Sequence, residues 1–201
     1  MSNPILVKLG GSLLQWRELP RILDQFISSF NDPLAILVGG GILADCLRDW
    51  HQTHKSTEES SHWRATKVMD LTSDMVRDLN PRFLPWAGVF PPWSDSSPNR
   101  MIWIIQPSRW LECAAITGSD KFLPRSWSTT SDSIALKLAS EWNCSRLLLL
   151  KSCDRPSAVW EECARTGHID PVFPLILKTI NPLPEVEWIN LRNFVPPKAS
   201  P

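Results

Sequence analysis

The 201-residue chain contains no tyrosine and no excess of either charge, with 21 lysines and arginines against 21 aspartates and glutamates. Without a basic block the electrostatic footprint of a nucleic-acid binder is missing, so no nucleic-acid partner is expected. Long apolar runs are missing too. Aliphatic runs such as Leu147 to Leu150 and Leu34 to Val38 are far too short to span a bilayer, and no membrane association is expected. The first residues enter a strand-like segment without a charged and apolar leader, so no secretory signal is expected. Five cysteines (Cys46, Cys113, Cys144, Cys153 and Cys163) are odd in number and lack a C-x-x-C pair. Reduced, mostly buried thiols in a cytoplasmic protein are the expectation. No internal repeat is present, and no G-x-x-x-x-G-K-[ST] loop occurs. Against these absences stand eleven tryptophans and eighteen prolines, a bias that the sequence ties to no function. The length suits one domain over 1–201 with a real core.

What is present centres on Ser126-Trp-Ser-Thr-Thr-Ser-Asp132-Ser-Ile-Ala-Leu-Lys-Leu-Ala139. Hydroxyl residues lead into a carboxylate that opens an apolar helix, with Ser131 or Asp132 placed to cap it. Ile134 and Leu138 fall on one face and mark a narrow buried stripe. An isolated Ser-Asp-Ser reads as a plain helix cap. Here the surroundings add lysines and glycine clusters at strand ends, and a carboxylate among them can position lysines around a phosphate.

Ile5-Leu-Val-Lys8-Leu-Gly10-Gly11-Ser12 reads as a buried strand ending in a glycine turn, followed by helical spacing from Leu13 to Phe30. Strand, glycine turn and helix together point backbone N–H groups at an anion. Lys8 sits near the carboxyl end of the strand, where open α/β sheets place their sites. A lysine inside an apolar strand is costly to bury without an anionic partner. Leu34-Ala-Ile-Leu-Val38-Gly39-Gly40-Gly41 repeats the arrangement, with a helix expected over Ile42 to Trp50. On it Asp45 and Arg48 are three apart, which fits either a helix-surface ion pair or a charge offered to a substrate beside the glycines. His51 to Ser61 is polar and reads as a solvated loop. His51, His54, Glu58 and Glu59 match no common metal spacing, so no protein metal site is expected. Trp63 to Leu79 has helical spacing, with His62 before it and Asp70 within it. Residues 81–99 are rich in proline and serine and read as a loop or flap. Met101–Ile105 is a strand, Pro107–Leu111 starts a short helix, and Arg146–Leu150 is a buried strand running into Lys151 and Asp154. Val172–Lys178 reads as a short helix, Val186–Asn190 as a last strand, and 195–201 as a flexible tail. Alternating buried strands and helices predict an α/β, three-layer αβα sandwich on a mainly parallel sheet.

The segments Lys8-Leu-Gly-Gly-Ser, Gly39-Gly-Gly and Thr130-Ser-Asp132 before a helix, then the Leu-rich strand, occur in the order found in the amino acid kinase superfamily, which the chain resembles over nearly its whole length. Ser61-His-Trp-Arg-Ala-Thr-Lys-Val-Met-Asp70, Ser126–Asp132 and Phe173-Pro-Leu-Ile-Leu-Lys178 further resemble its branch of small kinases in methanofuran biosynthesis. The resemblance implies a carbamate kinase-like sandwich using ATP and Mg²⁺ to phosphorylate an (aminomethyl)furanylmethyl phosphate to its diphosphate, the metal arriving on the nucleotide phosphates. It implies that Lys8 contacts the transferred group, that Lys178 is the second lysine on the leaving-group side, and that Asp132 holds both. Gly10, Gly11 and Ser12 would hold the nucleotide phosphates, with Lys151 and Asp154 nearby. Gly39, Gly40 and Gly41 would approach the acceptor, a small-molecule phosphate. Arg48, His62 and Asp70 are candidates for its phosphate and amine, a packing role being equally open for each. A homo-oligomer is compatible with the family.

The sequence departs from the family after Leu150, where Lys151-Ser-Cys-Asp154-Arg155-Pro156 replaces an aspartate-glycine turn. Proline fixes φ and lacks a donor, so the turn is altered, and Lys151 reads either as a phosphate contact or as a solvated strand-end lysine. Two alternatives therefore stand beside the furan kinase. One keeps the chemistry with another carboxylate or phosphate acceptor. The other is a nucleotide- or metabolite-binding regulatory protein without transfer. Lys8→Ala or Asp132→Asn is expected to abolish transfer and leave the fold intact.

Overall fold

The computed structural model describes residues 4–93, 100–119 and 123–196. Six strands form one sheet: β1 (Ile5–Leu9), β2 (Leu34–Val38), β3 (Phe83–Trp86), β4 (Ile102–Ile105), β5 (Arg146–Lys151) and β6 (Glu185–Asn190). Their order is β3-β4-β2-β1-β5-β6, and every pairing is parallel. β1 lies centrally and is buried along its length, as are β2 and β4. This is why these strands read as unbroken apolar runs: a parallel sheet covered on both faces has no solvent side to alternate toward.

The helices are α1 (Leu19–Ser28), α2 (Gly41–His54), α3 (Glu58–Arg77), α4 (Ser108–Thr117), α5 (Ser131–Glu141), α6 (Trp160–Arg165) and α7 (Phe173–Leu177). Two apolar layers sandwich the sheet. Ile5, Val7 and Leu9 face α1, whose Leu19, Ile22, Leu23, Phe26 and Ile27 are all buried. Leu6, Leu147 and Leu149 face the other way, toward α5 and α7. Side chains alternate along a strand, so Lys8 shares the face of Leu6, and Lys151 that of Leu147 and Leu149. Both lysines are thus delivered to the α5 side, at the carboxyl ends of adjacent strands.

Several local expectations change. The helix expected over 13–30 is a 3-10 turn, Gly11–Leu13, followed by α1, which begins next to Pro20. The polar stretch 51–61 is mostly helical. α2 runs on to His54 and stops where Lys55 takes a left-handed φ of 49°, while α3 starts at Glu58. Thr57 makes that early start favourable, its hydroxyl accepting from the Ser60 N–H at 3.2 Å with two acids in the first turn. Within the expected loop 81–99, residues 83–86 form strand β3. Its Pro85 is tolerated because β3 is the sheet edge. Residues 94–99 of the expected flap and 197–201 of the expected tail lie outside the described residues. All five cysteines are unpaired, but only Cys144 and Cys163 are buried; Cys46 is exposed. Among the described residues no helix is long and apolar enough to cross a membrane.

Candidate active site

Where β1 and β2 end, two glycine turns meet backbone to backbone. A Cβ on Gly11 would lie 2.3 Å from the Gly41 amide nitrogen, and Gly41 itself has a φ of +54°. No side chain fits there, so the main chain forms that wall of a cavity of about 290 Å³. Lys8, Gly11, Ser12, Gly39, Gly40, Gly41, Arg48, His62, Asp132 and Lys151 all line it. Gly41 opens α2, and Ser131 opens α5. The positive ends of two helices therefore border the same space, which favours an anion.

On the cavity floor three charged side chains meet away from water. Lys8 Nζ lies 2.8 Å from Asp132 Oδ1, and Lys151 Nζ lies 2.9 Å from each Asp132 oxygen. Lys8 and Asp132 are each 4 % exposed and Lys151 8 %. Burial opposes ionisation of Asp132, but the ammonium groups of Lys8 and Lys151 outweigh it and hold the carboxyl below its usual range. Burial and the neighbouring Lys8 push Lys151 down to about 8, against the pull of Asp132. The third Lys151 donor goes to the His168 carbonyl at 2.7 Å. All three Lys151 N–H groups are thereby directed at protein acceptors. Lys8 has one ion-pair partner among the described residues, so two of its donors remain for a ligand in the cavity.

The α2 and α5 sides close over this floor. The Arg48 guanidinium pairs with Asp45 at 2.7 Å and stacks 4.9 Å from the Trp127 ring centroid. The helix-surface pair considered for Arg48 is therefore real, and the residue also faces the cavity. His62 is buried against Trp63 on the cavity wall.

Four sequence-selected residues are not brought in. Lys178 ends α7 with its side chain 66 % exposed, paired with Glu161 at 2.5 Å, away from the cavity. Its position after Ile176 turns it outward, because Phe173 and Ile176 take the buried face of the short helix. The second lysine beside Asp132 is Lys151, which extends the inward register of β5. Asp154 is exposed and bound to Asn190 at 2.9 Å. Asp70 accepts from the Ser108 N–H at 3.2 Å and from its hydroxyl, closing the first turn of α4; burial pushes its pKa up against those bonds. Gly10 packs beneath the cavity, its N–H donated to Leu150 O at 2.9 Å. Nor does Ser131 or Asp132 cap α5: Thr130 is the N-cap, with no side-chain cap bond of its own, and Asp170 supplies the acceptor. Trp127, His168 and Asp170 were not selected from sequence. Trp127 lay in view within the Ser/Thr stretch, but no local signal connects Asp170 to a helix 37 residues earlier in the chain.

No family model matches the chain, and no curated protein is similar to it in sequence. Solved structures do share its architecture. A uridylate kinase from Archaeoglobus fulgidus superposes with a TM-score of 0.59 at 15 % identity, covering 94 % of this chain and 92 % of that one. A UMP kinase from Ureaplasma parvum gives 0.58 at 12 %, covering 96 % and 92 %. A UMP kinase from Bacillus anthracis gives 0.61 at 14 %, covering 95 % and 88 %. The α/β sandwich on a parallel sheet is the amino acid kinase fold; at these identities the likeness is one of fold.

Proposed function

We propose that the chain is an ATP-dependent phosphotransferase acting on a small phosphomonoester. The observation that carries this reading is the buried Lys8–Asp132–Lys151 cluster on the floor of a cavity bordered by two helix N-termini. Phosphoryl transfer needs positioned positive charge more than covalent chemistry from the protein. Lys8, with donors to spare, contacts the transferred group. Asp132 fixes the Lys8 head. Lys151 adds positive charge from behind, in the role the resemblance gives to Lys178. The glycine-built wall at Gly11 and Gly41 lets phosphate oxygens reach main-chain N–H groups, a cradle that a Cβ would fill. When bound, Mg²⁺–ATP supplies the phosphoryl group, and the metal shields charge on its phosphates.

For the acceptor, the branch-specific segments favour an (aminomethyl)furanylmethyl phosphate, giving a diphosphate for a methanofuran-like C1 carrier in the cytoplasm. Arg48 and His62 suit its phosphate, and Asp45 its amine. Isopentenyl phosphate, UMP and amino acids are the comparators, and absence of turnover with the furan alone would remove that acceptor while keeping the kinase.

The turn after β5 favours a second reading. Arg155 lies 3.7 Å over Trp160, and Trp160 packs on Phe173 and Trp188, so aromatic rings fill the strand ends beyond Lys151. A protein unable to seat a nucleotide base there would bind a phosphorylated metabolite without transfer. Calorimetric titration with Mg²⁺ and a non-hydrolysable ATP analogue decides between them. Micromolar binding weakened by Lys8→Ala supports the kinase. Absence of binding by folded protein leaves the metabolite binder.

A further inference from the structure

Asp170 stands just before α7, is 5 % exposed, and has no part in the chemistry above. Its carboxylate takes six donors. Oδ2 accepts the Thr130 N–H at 3.0 Å, the Thr130 hydroxyl at 2.8 Å and the Ser133 N–H at 3.0 Å. Oδ1 accepts the Ser133 hydroxyl, with the N–H groups of Val172 at 3.1 Å and Phe173 at 3.0 Å. One side chain thus satisfies open donors at the starts of both α5 and α7. Two residues earlier in the same loop, the His168 carbonyl holds Lys151. The helix that carries Asp132 and the head of Lys151 are therefore referred to a single short segment.

We infer that Asp170 is a positioning residue of the site: it locks the first turn of α5, which carries Asp132, to the short segment whose His168 carbonyl holds Lys151. The groups facing Lys151 define what the charge of Asp170 does. Lys8 on β1 repels its proton; Asp132 on α5 and Asp170 in the loop retain it; on β6 the Trp188 ring lies 5.2 Å from Nζ and offers only a π face. Burial and the nearby Asp132 push the Asp170 carboxyl up, yet Ser133 and Thr130 donate to its ionised form. A cap that served stability alone would not need to tie the start of α5 to the same short segment that holds the head of Lys151. The functional meaning of the inference rests on the phosphoryl-site reading, whereas its geometry does not.

NMR of the ligand-free protein with isotope-labelled lysine and aspartate side chains tests it. In the wild type, Asp170 should read as a carboxylate at pH 7; a protonated Asp170 there overturns the inference without any variant. Lys151 should titrate near 8, and in Asp170→Asn that midpoint should fall by about one pH unit. Ser133→Ala, which loses one donor and keeps the charge, should leave the midpoint in place while lowering thermal stability. A midpoint unmoved in a folded Asp170→Asn protein reduces Asp170 to a helix cap. Neither readout involves a nucleotide. Failure of ATP binding in the wild type would therefore strike the kinase reading alone, and an unmoved midpoint with intact binding would strike this inference alone.

Discussion

The carboxyl edge of the sheet is open at one end and filled at the other. At β1 and β2 the strands run into glycines, and the space they leave is bordered by main chain, Lys8 and two helix N-termini. At β5 and β6 the strands run into Lys151 and Asn190. Trp160, Phe173 and Trp188 pack against one another there, and Asp154 is tied to Asn190. The two lysines repeat the contrast: Lys8 has donors facing the cavity, and Lys151 has all three engaged. A charged side chain serves a ligand when its neighbours leave it donors, and serves the protein when they do not.

The contrast breaks most visibly at Lys8. Lys8→Ala should reduce phosphoryl transfer about a thousandfold, because it removes a positioned cation on the cavity floor that has donors left for a ligand; single-turnover rates would show it, and a loss under tenfold would move the centre elsewhere. Asp132→Asn should lose transfer as well. Contrary to the sequence-based expectation, it should also lower stability, by about 3–5 kcal/mol, since two buried ammonium groups share that carboxylate. Urea unfolding with an unchanged midpoint would contradict this. Gly11→Ala should damage the site more than Gly39→Ala. The first Cβ meets main-chain atoms of Gly41 at 2.3 and 2.6 Å, whereas one of the two closest neighbours of the second is the Ser131 hydroxyl at 3.0 Å, which can turn away. Anion affinity measured across pH should report this difference as a loss in the first variant and partial retention in the second.

Titration sharpens the comparison further. With Lys151 at about 8 in the fold and 10.5 when unfolded, the unfolded chain binds more protons across that interval. Its contribution therefore makes stability rise with pH from about 8 to 10.5, while anion affinity falls as the same proton leaves. Asp132 acts at the other extreme: its stabilisation is full above pH 3.8 and is lost as pH falls toward its lowered value. Thermal melts across pH would separate these windows. The smallest effect belongs to Lys178→Ala. An exposed, solvent-screened pair with Glu161 contributes almost nothing to stability, and transfer should be unchanged. A large kinetic loss there would return Lys178 to the site.

The amino-acid sequence by itself determined five of the six strands, the mainly parallel character of their sheet and the position of Lys8 near the carboxyl end of its strand; β3 fell in a stretch that reads as a loop. Apolar runs, glycine stops and the two-residue alternation of a strand are local properties, and they specified Lys8, Gly11, Gly39, Gly40, Gly41 and Asp132 without knowledge of any partner. It also carried Lys151, whose inward direction follows from Leu147 and Leu149. What the sequence could not rank was Lys151 against Lys178, because that choice depends on which face of a five-residue helix is buried against the core. The end of α2 and the start of α3 were misread because a polar stretch is helical when its caps and neighbours favour it. Asp70 and Asp154 are site candidates only through the family resemblance, and the structure gives each a donor elsewhere. Asp170 was invisible for a different reason. A carboxylate's role follows from the donors around it, and four of its six donors come from a segment brought close only when α5 and α7 pack on the same face of the sheet.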